Sequence, residues 1–76
     1  MYTTEMAKAF HSINPPKDFS VTLIDNEHFM TIKADEQKFV KLDDYGKRQA
    51  IDYLVRIKKA LEDNGAVVII TRDGVE

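Results

Sequence analysis

Apolar positions change their spacing along this chain, and each change predicts an element. From residue 3 to 14 they fall at Met6, Ala9, Phe10 and Ile13, the repeat of one helical face, with a threonine placed as N-cap and Glu5 in the first turn. Pro15-Pro16 ends this helix. A dozen residues make a helix that is barely stable alone in water, so residues 1–14 are expected either to dock through Met6, Phe10 and Ile13 or to form an arm.

The spacing then shortens to alternation. Phe19, Val21 and Leu23 alternate with Ser20 and Thr22, predicting a strand over 19–24, and Asp25-Asn26-Glu27 supplies a turn. A second strand is predicted over 28–34, with Met30 and Ile32 on one face and Phe29, Thr31 and Lys33 on the other. Asp35-Glu36-Gln37 then reads as another turn, leading to a third strand over 38–42 in which Val40 and Leu42 oppose Phe39 and Lys41. Together these predict an antiparallel meander, with Lys33, Lys38 and Lys41 marking a wet face or a protected edge.

The strongest periodicity follows. Ala50, Ile51, Leu54, Ile57 and Leu61 recur every three or four residues, with Val55 and Lys58 at the margins, predicting one long amphipathic helix over 44–64. Asp43-Asp44 provides its N-cap, and Asn64-Gly65 its left-handed stop. Gly46 in the first turn is unfavourable for a helix, and marks either a close approach of chain or a later start. Residues 66–70, Ala-Val-Val-Ile-Ile, are apolar on both faces and predict a fully covered last strand, closed by Thr71-Arg72-Asp73-Gly74. A strand reached from the third through a helix should run parallel to it, giving the order 3-2-1-4. If the last strand is an edge, its two-sided apolarity calls for cover by the N-terminal helix or by a symmetric second copy.

The chain is thus expected to be a single α+β domain over 1–76 in the order α-β-β-β-α-β, with its core in 17–76. Composition limits what it can be. At 76 residues, 43% hydrophobic and 32% charged, it is too apolar for a disordered tail and too charged for a membrane span. With no cysteine, neither disulfides nor thiolate metal sites support so small a core. The absence of a basic segment followed by an apolar run argues against a signal peptide, so a cytoplasmic protein is expected. A net charge of −2 gives no field for non-specific nucleic-acid binding.

Candidate chemistry is sparse. His11 and His28 lie in different elements and neither has a second ligand at metal-binding spacing, so both read as surface histidines. Asp35-Glu36, Asp43-Asp44 and Glu62-Asp63 pair carboxylates, but at element ends, where capping and turns call for them. Glu62-Asp63 is the exception, because acids oppose the dipole near a helix C-terminus, and it points to an acidic contact surface. The isolated glycines make no phosphate loop, and Ser12 and Ser20 have no nucleophile context. No catalytic residue, cofactor or metal is expected, and the chain is not expected to be an enzyme.

A helix of about 20 residues outreaches strands of about six, so its first turn should overhang the sheet and present Tyr45, Lys47 and Arg48. Those residues, with Arg56, Lys59, Glu62 and Asp63 on the charged outer face, are the candidate partner-binding set. The expected function is a non-catalytic protein-protein interaction module, a small regulator or inhibitor of the format carried by phages and mobile elements, with a homodimer as one form. The alternative is a nucleic-acid binder that uses lysines and Phe29 and Phe39 on the sheet face, or the basic residues of the helix.

Overall fold

A computed structural model describes residues 2–72. Its elements are α1 (Thr4–His11), β1 (Val21–Asp25), β2 (Met30–Ala34), α2 (Glu36–Val40), α3 (Asp44–Asp63) and β3 (Val68–Arg72). The class is mixed α+β, and the order of first helix, strands, long helix and last strand follows the periodicities. The sheet has three strands in the order β1-β2-β3, with β1 antiparallel and β3 parallel to β2.

Two expectations are corrected here. Residues 38–42 do not form a third strand, because 36–40 are the helix α2. The expected turn at Asp35 is its N-cap, where Asp35 Oδ1 accepts the Lys38 N–H at 3.1 Å. Phe39 and Leu42 stand three residues apart, as close on a helix surface as alternating residues are on a strand. Both pack against the core while Val40 and Lys41 are exposed. With no third strand, the far side of β2 is vacant, and the last strand pairs there instead of beside β1. Met30 faces Val68, and Ala34 faces Arg72. The expected terminator at 71–74 also shifts, since Thr71 and Arg72 belong to β3; residues 73–74 lie outside the described residues.

The sheet has one covered and one open face. On the covered face Met30, Ile32 and Ala34 of β2 are buried, flanked by Val21 and Leu23 of β1 and by Val68 of β3. Alternation puts Thr22, Ile24, Thr31, Lys33, Ile69 and Thr71 on the other face, which no helix among the described residues covers. The helices form the second layer. Among the described residues the end of α1 lies on the β1 side, where Phe10 and Ile13 come close to Ser20, Val21 and Tyr53. The Tyr2 N–H also donates to Asp25 Oδ2 at 3.0 Å. The long helix α3 packs beside α1 and over β3, its Ala50, Tyr53, Ile57 and Leu61 buried in one cluster with Met6, Phe19, Ile32 and Val68.

Local chemistry fixes the helix ends. Thr3 Oγ1 accepts the Met6 N–H at 3.1 Å, and Asp43 Oδ1 accepts the Gly46 N–H at 2.7 Å. At the far end Gly65 takes φ +95°, the left-handed value that glycine adopts without strain. The Gly65 and Ala66 N–H groups then donate to the Glu62 and Leu61 carbonyls. Gly46 is explained by approach. A Cβ there would meet Leu42 Cβ at 3.1 Å and Asp43 Oδ1 at 3.2 Å, so glycine lets the α2–α3 corner close.

The core stripe of α3 differs from the expected one by a small rotation. Tyr53 is buried and Ile51 is 52% exposed, so the stripe runs through 50, 53, 57 and 61, with Leu54 half-buried beside it. Tyr53 is held by Phe19, whose ring it meets edge-on at 6.3 Å, and Phe19 in turn meets Phe39 at 6.2 Å. Burial among these rings pushes the Tyr53 hydroxyl above its ordinary pKa, because the charged form would lose its hydration.

Candidate interaction surface

The structure spreads the predicted site residues around α3 and does not collect them. Tyr45 does not fold back on the sheet; it is 65% exposed at the mouth of a shallow cleft with Pro16, Lys17 and Leu42. Lys47 is half-buried, with Nζ 6.0 Å from the centre of the Phe39 ring. Arg56 bonds Asp52 at 2.8 Å, and both line an open cleft against Ser12, Ile13 and Asn14 at the end of α1. Lys59 pairs with Asp63 at 3.7 Å. Glu62 is bonded by Lys58 at 2.8 Å, which offsets its unfavourable place at the helix end. All of these i,i+4 pairs are solvated and stabilise the helix by only about 0.3–0.5 kcal/mol each.

Helical geometry sorts the set into two flanks. Arg56, Gln49 and Asp52 line the cleft with α1, so that flank of α3 faces the β1 side. Lys47, Ile51, Leu54, Val55, Lys58 and Glu62 follow one another at three- and four-residue steps on the other flank, which faces away from α1. That second flank has an apolar middle. Ile51 and Val55 are 52% and 57% exposed, between charged residues at either end.

The same side of the molecule carries β3, one of the two edge strands of the sheet among the described residues. Residues 66–71 hold no charged side chain, and Val67 is 63% exposed, with Ile69 and Ile70 also open. The covered strand expected from its two-sided apolarity is an edge among the described residues. The start of α1 approaches its lead-in, where Thr3 and Met6 line a cleft with Ala66 and Val67, while the end of α1 lies toward β1. Its backbone phase is set by the Met30 N–H, which donates to the Val67 carbonyl at 2.8 Å. Residues 67, 69 and 71 therefore turn their peptide groups toward β2, and Val68, Ile70 and Arg72 turn theirs outward. Sequence reasoning missed this wall because it placed the last strand beside β1 and assigned Ile51 to the core.

The sheet face does not assemble the aromatic platform of the nucleic-acid alternative. Phe39 and Lys38 are on α2, Phe29 precedes β2 and is half-buried, and Lys33 is the one basic side chain among the open-face positions of the described strands. His28 stands 3.6 Å from Glu27, both exposed, and the His11 ring lies edge-on to Phe10 at 5.2 Å. Among the described residues no three His, Cys, Asp or Glu groups gather as metal ligands, and no helix is long and apolar enough to cross a membrane. Comparison with protein-family models, curated proteins and solved structures finds no match for this chain.

Proposed function

We propose that this domain is a protein-binding module whose docking surface is the wall formed by β3 and the outer flank of α3. The observation that carries this reading is the outward row of peptide groups on an edge that is apolar from Val67 to Ile70, with Ile51 and Val55 exposed on the same side. Unpaired edges of this kind template pairing with another strand, and natural sheets normally blunt them with charge, proline or cover. The strand supplies hydrogen bonds, and the helix flank supplies apolar area, a combination that suits an extended or strand-bearing protein partner. Occupying such a partner's surface is the means by which the module would regulate or inhibit it.

A photo-reactive amino acid at position 55, compared with one at position 24 on the open sheet face, tests this. The expected result is a protein adduct at 55 that is lost when Ile69→Lys places a charge on the edge, with none at 24. Equal labelling at both positions, or an adduct to nucleic acid alone, would overturn it.

A further inference from the structure

We propose that the partner seated on this wall is a second copy of the same chain, joined by antiparallel pairing of β3 with β3; the proposal rests on the protein-binding role of that wall. The outward peptide groups belong to Val68, Ile70 and Arg72, and this spacing is self-complementary. A two-fold axis beside Ile70 sets Ile70 opposite its own mate and Val68 opposite Arg72, so every outward N–H finds an outward carbonyl. The phase is right without any slip of register, and the sheet continues across the two copies.

The helices fit the same axis. Because the axis runs perpendicular to the sheet, both helical layers stay on one face and the two α3 helices lie antiparallel. The buried stripe of α3 shares its cluster with Ile32 of β2 and Val68 of β3. With strands about 4.8 Å apart, a helix seated between those two strands lies about 10 Å from its mate across the axis, the ordinary distance for packed helices. The middle of the α3 flank is the part that carries Ile51, Leu54 and Val55, and their counterparts would cover them.

Charge runs the same way. Lys47 lies near the start of this flank and Glu62 at its end, with no basic residue in the last turn. Antiparallel apposition brings Lys47 of each copy toward Glu62 of the other, beside the Lys58 that already bonds it. Area is sufficient as well. A wall about 30 Å long, set by α3, and roughly 20 Å high, set by two layers with their side chains, offers about 600 Å² in projection. That is close to the about 800 Å² of accessible surface that each partner contributes to a standard interface. The strand alone would fall short, and the helix flank makes up the difference.

Sedimentation equilibrium of the full chain over a wide concentration range tests the proposal. The expected mass rises from the 8.7 kDa monomer toward twice that value. Ile51→Glu with Val55→Glu, both at exposed helix positions, should weaken association at least about tenfold while leaving the far-ultraviolet circular dichroism unchanged. Ile70→Pro removes a single outward N–H that β2 does not use and should abolish association; if that variant unfolds, Ile69→Lys replaces it on the exposed face of the same strand. A monomer at every concentration overturns the proposal, as does a dimer that none of these variants weakens. The cross-link at position 55 separates the two levels. A heterologous protein adduct from a monomeric chain overturns self-pairing and keeps the protein-binding role, whereas a monomer with no adduct overturns both.

Discussion

The β1 side and the β3 side of this small sheet are finished differently. Beside β1 the chain supplies neighbours: Phe10 and Ile13 come close to Val21, the Tyr2 N–H donates to Asp25 at one end, and Lys38 Nζ reaches Ser20 Oγ at 3.3 Å at the other. Each of these two strands ends on a charged residue, Asp25 in β1 and Arg72 in β3. Beside β3 there is an uncharged run from 66 to 71 and an exposed apolar flank of α3, with no neighbouring strand among the described residues. One helix serves both sides, so its inward stripe and its outer flank can be compared residue by residue. The difference teaches that apolar periodicity on a helix can be satisfied within the fold on one side and left exposed on another.

The sharpest way to break this comparison is to truncate both surfaces. Ile57→Ala or Leu61→Ala, at fully buried positions, should cost about 2–5 kcal/mol in urea unfolding. For a domain of this size that is a large part of the whole stability, about 0.05–0.15 kcal/mol per residue. Val55→Ala, measured dilute, should stay within about 0.5 kcal/mol. Equal losses at 55 and 57 would mean that the outer flank is core after all.

The crossover that delivers β3 to the bare side of β2 is the next target. Asp43→Ala removes the acceptor of the Gly46 N–H and should cost about 1 kcal/mol, seen as a fall of about 4–8 °C in Tm. An unchanged Tm would show that α3 holds its start without the cap. Gly46→Ala probes the same corner. In an open helix this change gains up to about 1 kcal/mol, but here the new Cβ would press on Leu42, so a small loss is expected in thermal unfolding. A gain would show that Leu42 can move aside.

The smallest effect belongs to the covered side. Burial raises the Tyr53 pKa, so the folded state holds that proton more tightly than the unfolded chain does. Its contribution is fully present below the unfolded value near 10 and is lost as pH rises through the higher folded value. Alkaline titration of urea stability should show that decline, and Tyr53→Phe should flatten it; an equal decline in the variant would place the cause elsewhere.

How far the sequence was legible depended on whether local signals agreed. In α3 the caps at Asp43 and Gly65 and the repeat of apolar residues all gave one answer, and the helix occupies Asp44–Asp63. At residues 36–42 they conflicted. Alternation suggested a strand, whereas Asp35 ahead of Glu36, Gln37 and Lys38 was a helix start, and the hydrogen bond at the cap shows which prevailed. The candidate site was less legible still, since Tyr45, Arg56 and Lys59 share the charged surface of α3 with Lys47 and Glu62 but lie around the helix from them. A rotation of one residue in the stripe, Tyr53 for Ile51, decides which flank is apolar, and the aromatic contact with Phe19 made that choice.

By itself the sequence determined α1 and α3, the first hairpin, and the mixed α+β class, because those depend on residues within a few positions of one another. Only the tertiary structure decided that β3 pairs with β2, that β1 and β3 are the two edges, and that Ile51 and Val55 stand outside. Strand order depends on contacts across tens of residues, where an apolar strand satisfies either neighbour equally well in sequence. Here the choice fell to the side of β2 left vacant when residues 36–40 wound into a helix.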